Sequence, residues 1–165
     1  MNASDVDKIV SGAVQKALAE RKNVVSSLGI TLKAAEAVIK RVFEAAKAMG
    51  MSAFAAVTDE GANPVAVMRM DGAILASYDI ALGKAYTAVA LKKSTAELAS
   101  LAAPGGELYG IQHQSGGKIV VFGGGEPLVY GGKVVGGLGV SGGTLKQDIE
   151  LALVGKKFWE DVLCR

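Results

Sequence analysis

The stretch Phe122–Thr144, FGGGEPLVYGGKVVGGLGVSGGT, decides how this chain is read. Short runs rich in β-branched residues alternate in it with glycine pairs and a triplet. Leu128–Tyr130 and Lys133–Val140 read as two strands joined by Gly131-Gly132, a tight antiparallel hairpin. Fifteen of the 22 glycines fall between Gly105 and Gly143. Glycine serves where a backbone takes positive φ or where another group comes close. These loops therefore read as carrying backbone N–H groups toward a surface or a ligand.

Working outward, Lys118–Phe122 (KIVVF) reads as a further strand, and Thr144 with Gln147 caps a C-terminal helix bearing Leu145, Ile149, Ala152 and Leu153. Upstream, Thr31 caps a helix whose apolar face is Leu32, Ala35, Ile39, Val42, Phe43, Ala46 and Met49, with Gly50 placed to end it. Ser52–Thr58 and Pro64–Met70 flank the turn residues Asp59–Asn63, which predicts a hairpin. Ile74–Leu91 is helical in character, and Ser94 with Glu97 forms a capping box for a short helix that ends before Pro104. At the start, Val6, Ile9, Val10, Ala13, Val14, Ala17 and Leu18 lie on one face of an amphipathic helix. Residues 1–22 thus read as an extra helix, 23–30 as a linker and 31–165 as the main domain. Tight turns between neighbouring strands predict an α+β fold, an antiparallel sheet of about five strands with flanking helices.

Bulk composition narrows the function classes. A chain of 165 residues with 50% hydrophobic and 21% charged residues is globular and long enough for its own core. Aromatics make up 5%, so small aliphatic side chains must build that core and any contact between copies. A net charge of +2 with scattered Lys and Arg predicts no nucleic-acid partner. The lone Cys164 offers neither a disulfide framework nor a thiolate zinc site. Neither a membrane-length apolar run nor a leader pattern is visible, so the expected location is cytoplasmic.

Chemistry-bearing residues are few. Gly137–Gly142 spells G-x-G-x-x-G, but only one helix of chain follows, too little for a dinucleotide-binding unit. A glycine loop leading into a helix N-terminus can still hold an anion. His113 is the single histidine, a candidate axial haem ligand or proton shuttle and otherwise a solvated loop residue. Arg69 interrupts an apolar strand and either faces solvent or anchors an anion. Asp71 reads as a turn residue or a site acid, and Asp79 lies near it. Lys84, Tyr86 and Thr87 sit on a helix facing the sheet, where they could line a pocket. Met51, Met68 and Met70 offer thioethers, although core filling is the commoner use of methionine. Hydrolase and P-loop signatures are missing, which disfavours nucleophilic hydrolysis.

From Leu32 to about Val154 the sequence resembles the GlcG/HbpS haem-binding family, which includes the C-terminal domain of PduO. The matching stretches are AVTDE (Ala56–Glu60), MRMDGA (Met68–Ala73), ASYDIALGKAYTAVA (Ala76–Ala90), PGGELYGIQ (Pro104–Gln112), FGGGEP (Phe122–Pro127) and VGGLGVSGGTLKQD (Val135–Asp148). The resemblance implies a profilin-like α+β domain, assembly into homo-oligomers such as octamers, and binding of haem or a related tetrapyrrole. Some members use a histidine in the helix after Leu32, where this chain has none up to Met49. On this reading His113 is the axial ligand, Arg69 and Lys84 offset propionate charge, Asp71 and Tyr86 complete the pocket, and Gly124, Gly125, Gly142 and Gly143 donate N–H groups. Members accompany glycolate or diol utilisation. Residues 1–22 look like peptides that carry cargo into bacterial microcompartments, which would make a shell protein or enzyme a partner. Two alternatives stay open. One is an enzyme acting on a small carboxylate or aldehyde, with Arg69 as clamp and Asp71, Lys84 or His113 as acid or base. The other is a structural or auxiliary subunit recruited through the first helix.

Overall fold

A computed structural model of the protein describes residues 25–26 and 29–164. The predicted helix over residues 1–22 lies outside the described residues. A two-residue ladder opens the described chain, β1 (Val25–Ser26) against β2 (Gly29–Ile30), within the stretch read as linker. Helix α1 (Leu32–Ala48) follows, and Thr31 Oγ1 accepts a hydrogen bond from the Ala34 N–H at its start. Such a cap contributes about 1 kcal/mol. Next come β3 (Phe54–Asp59), β4 (Pro64–Arg69), α2 (Ser77–Leu91) and α3 (Thr95–Leu101). Two short 3₁₀ turns, Ile111–His113 and Ser115–Gly117, lead to β5 (Gly125–Tyr130), β6 (Lys133–Ser141) and α4 (Leu145–Phe158). Both expected capping boxes are formed, Ser94 with Glu97 and Thr144 with Gln147.

The main sheet has strand order β4-β3-β6-β5 and is antiparallel throughout. Alternation along each strand sorts residues to two faces. Ala55 and Val57 of β3, with Leu138 and Val140 of β6, join Val38, Ile39 and Val42 of α1 and Leu151 of α4 in the larger core. Trp159 completes it just beyond α4, fully buried, with its indole Nε1 donating to the Val129 carbonyl at 2.7 Å. The other face carries α2, whose Ala81 and Ala85 pack with Phe54 and Ala56.

Close approach explains several glycines. Ala56, Gly139 and Gly125 form one row across three strands beneath α2. A Cβ on Gly139 would run into the Ala81 carbonyl oxygen, and one on Gly137 into that of Ala85. The first two glycines of the G-x-G-x-x-G pattern thus belong to a strand and let a helix rest on its backbone. This agrees with the strand read over Lys133–Val140.

Lys118–Phe122 is not a strand, which corrects the sequence reading and leaves the main sheet with four strands among the described residues. Instead this segment lies along α2. The Val120 N–H donates to Thr87 Oγ1 at 2.9 Å, and Gly83 leaves room for the Lys118 carbonyl and the Val120 side chain. Its β-branched residues are spent on packing a helix, with the helix hydroxyl replacing a ladder partner.

Candidate functional site

Helix α1 ends at Met49, and Gly50 turns the chain with φ of 68°. The connector then passes beside the end of β4, where the Met70 N–H donates to the Ala53 carbonyl and Ser52 Oγ donates to the Asp71 carbonyl at 2.7 Å. Between helix, connector and strand end lies an open groove of about 760 Å³. Phe43, Met51 and Met70 give it an apolar floor, Lys40, Lys47 and Arg69 surround that floor with positive charge, and Glu44 and Asp71 add two carboxylates. Lys40 and Arg41 make exposed ion pairs within α1, to Glu36 at 3.8 Å and Glu44 at 3.2 Å. Such pairs hold their partners weakly. Lys47 and Arg69 make no ion pair among the described residues and remain available to an anion.

Behind the groove sits a buried polar cluster. Lys84 Nζ lies 2.7 Å from Asp148 Oδ2 and 2.8 Å from the Val140 carbonyl, with both side chains essentially inaccessible. Burial pulls the Lys84 ammonium below the ordinary lysine value, while the hydrogen bond and charge of Asp148 pull it back up. Asp148 Oδ1 accepts from the N–H groups of Gly142 and Gly143, at 3.1 and 3.0 Å. Gly124 lets the Lys84 ammonium pass, since a Cβ there would stand 2.7 Å from Nζ. The Gly125 N–H donates to Thr95 Oγ1 at 2.8 Å. The Gly125, Gly142 and Gly143 N–H groups are thus engaged inside the protein. Gly143 also supports the groove, for a Cβ on it would lie 2.7 Å from Met51 Cε and 3.0 Å from Sδ.

Of the residues singled out in the sequence, Lys84, Gly124, Gly142 and Gly143 converge around Asp148, while Arg69 and Asp71 line the groove. Tyr86 lies in a second, smaller groove of about 450 Å³ with Asp79, Leu82 and Lys118, the lysine ammonium 5.6 Å from its ring. His113 is exposed on its 3₁₀ turn and is among the lining residues of neither groove. Asp148 escaped the sequence reading, because an acid in the first turn of a capped helix is fully explained by the helix dipole. Lys47 escaped it as an ordinary basic residue in a last turn.

No helix among the described residues is long and apolar enough to cross a membrane. The chain is 44% identical over 123 residues to an uncharacterised 15.0 kDa protein from the dhaT–dhaS intergenic region of Citrobacter freundii, covering 74% of this chain and 87% of that one. It is 44% identical over 96 residues to the corrinoid adenosyltransferase PduO of the same organism, covering 58% of this chain but spanning only 29% of that protein. The solved structure of Klebsiella pneumoniae protein ORFY superposes with a TM-score of 0.78 at 38% identity, over 81% of this chain and 92% of that one. A complex of PduOC with haem superposes with a TM-score of 0.70 at 36% identity, over 72% and 86% respectively. The family described as haem degrading protein HbpS-like matches residues 30–156. With more than three quarters of its length inside that match, the chain belongs to the HbpS-like family.

Proposed function

We propose that the protein binds haem or a related tetrapyrrole in the groove between α1 and the end of β4. One observation carries this reading: an apolar floor with two thioethers ringed by three cations, two of them without an ion pair among the described residues. A porphyrin presents the complementary chemistry, a flat apolar ring bearing two carboxylates. Phe43, Met51 and Met70 would face the ring, and Lys40, Lys47 and Arg69 would meet the propionates. The donor set therefore fits the group. When bound, haem supplies a redox-active iron, and the chain's own residues supply orientation, charge balance and exclusion of water. Kinship to the PduOC domain, solved with haem, supports the same ligand.

The test is titration of the purified protein with haemin, followed through the Soret band and by mass measurement in solution. Saturable uptake with a shifted band supports the reading, and weak non-saturating uptake overturns it. A small carboxylate that raises the melting temperature without haemin would favour the second reading, a metabolite-binding or enzymatic site with Arg69 as clamp.

Homo-oligomer assembly belongs to the same proposal. Ile74 and Leu75, 63% and 83% exposed, stand beside Tyr78 at the start of α2, an apolar surface suited to another copy. Kinship to PduO supports a further proposal, that residues 1–22 recruit the domain to a microcompartment partner. Their deletion should abolish that association and leave the domain folded; retained association would count against it.

A further inference from the structure

We infer that two copies of the chain join along the open edge of β4, strand against antiparallel strand, about a two-fold axis through Val67. This rests on the homo-oligomer reading above and names its surface. The main sheet ends in two edges, β4 and β5. The chain itself closes the β5 edge. Pro127 has no N–H to offer there, the Gly125 N–H donates to Thr95 Oγ1 at 2.8 Å, and the Val129 carbonyl accepts the Trp159 indole N–H at 2.7 Å.

β4 has no such cover among the described residues. It pairs with β3 alone, and its Met70 N–H donates to the Ala53 carbonyl. Alternation along an antiparallel ladder then turns Met68 and Ala66 inward as well. Val67 and Arg69 therefore direct their N–H and C=O groups outward, on a strand that is half-buried between its exposed ends. Pro64 guards only its first position. An edge left open in this way is a template for another strand.

Charge at the two ends of β4 selects a second copy, antiparallel. Arg69 stands at one end, and the turn at the other carries Asp59 and Glu60. Neither Arg69 nor Glu60 makes an ion pair among the described residues. Antiparallel pairing sets each Arg69 near the partner's acidic turn, whereas parallel pairing would stack like charges. The five donors of a guanidinium let Arg69 face the haem groove as well. Apolar surface fits the same arrangement. Phe54 opposes Arg69 in the sheet and meets the Tyr78 ring at 5.9 Å, so the exposed Ile74 and Leu75 lie at the Arg69 end. The two-fold axis brings them toward the partner's Pro64 and Leu82, in the wall of the smaller groove.

The experiment places one cysteine at the axis. Opposed residues of a hydrogen-bonded antiparallel pair have Cα atoms about 5.5 Å apart, which a disulfide spans. Val67→Cys and, for the other edge, Val129→Cys are made with Cys164→Ser, oxidised at low protein concentration and run on a non-reducing gel. Val67→Cys should run at twice the chain mass, reversibly on reduction, and Val129→Cys at the mass of one chain. Val67→Lys, which puts a charge on the edge, should at least halve the mass in solution while far-UV circular dichroism stays that of the wild type. An oligomeric wild type whose Val67→Cys variant forms no covalent dimer overturns this inference and leaves the homo-oligomer reading intact. Cross-linking through Val129→Cys alone also overturns it. A wild type that is monomeric in solution overturns the homo-oligomer reading itself.

Discussion

Lys84 and Asp148 meet inside the protein with Nζ 2.7 Å from Oδ2, and the second oxygen of the same carboxylate holds the N–H groups of Gly142 and Gly143. One buried ion pair thereby joins the α2 face of the sheet to the loop that supports Met51. Charge taken out of water is costly, and here the cost is offset by hydrogen bonds on both partners.

Removing one partner should therefore be severe. Lys84→Met strands the Asp148 carboxylate and is expected to cost about 3–5 kcal/mol in urea unfolding. The double change Lys84→Met with Asp148→Leu should recover part of that loss. A double variant no more stable than the single one would show that the loop bonds, not the charge pair, carry the energy.

Gly139 has no room for a side chain, since its Cβ would enter the Ala81 carbonyl beneath α2. Gly139→Ala must push helix from strand and is expected to destabilise by about 3 kcal/mol. Thermal melting of this variant beside Gly131→Ala, a turn glycine whose Cβ would meet nothing within 4 Å, separates close packing from backbone strain, Gly131 having φ of 56°.

Charge reversal in the groove should weaken anionic ligands. Lys47→Glu and Arg69→Glu are each expected to weaken haemin binding about tenfold, the equivalent of 1.4 kcal/mol. Both side chains are exposed, so melting temperatures should stay near wild type. Unchanged haemin titrations in both variants would remove this groove from the site.

His113 lies on an exposed turn outside the groove, so His113→Ala should leave the haemin titration and the Soret position unchanged. Loss of the band in that variant would transfer the ligand to the turn.

Glu126 gives a pH signature. Burial raises its carboxyl above the ordinary 4.5, opposed by the bond from Lys156 at 3.0 Å. An acid with a raised folded value holds its proton more tightly folded than unfolded. Stability therefore falls as pH climbs from 4.5 through that folded value, and the cost of the buried charge is complete above it. Glu126→Gln should thus gain on the wild type between pH 4 and pH 7 in melting experiments. A gap that shrinks over that interval would contradict the assigned direction.

Much of this architecture is legible from local chemistry. Thr31, Ser94 and Thr144 announce their helices because a cap and its N–H partner lie within three residues. Gly131-Gly132 announces the β5–β6 hairpin in the same way. Arg69 and Asp71 stood out as candidates because charge interrupts an apolar strand at its end, and both line the groove.

Other features depend on residues far apart in the chain. Lys118–Phe122 has a strand's composition, and only the proximity of Thr87 and Gly83 turns it onto a helix. The role of Lys84 depends on Asp148, 64 positions later. The groove needs α1, the connector and the end of β4 together, which no window of sequence contains. Sequence by itself determined the elements, their caps and their turns, because those bonds close within a few residues. Tertiary structure alone decided which glycines pack helices, which charges are buried and which cations face an open groove, because long-range packing and desolvation set those outcomes.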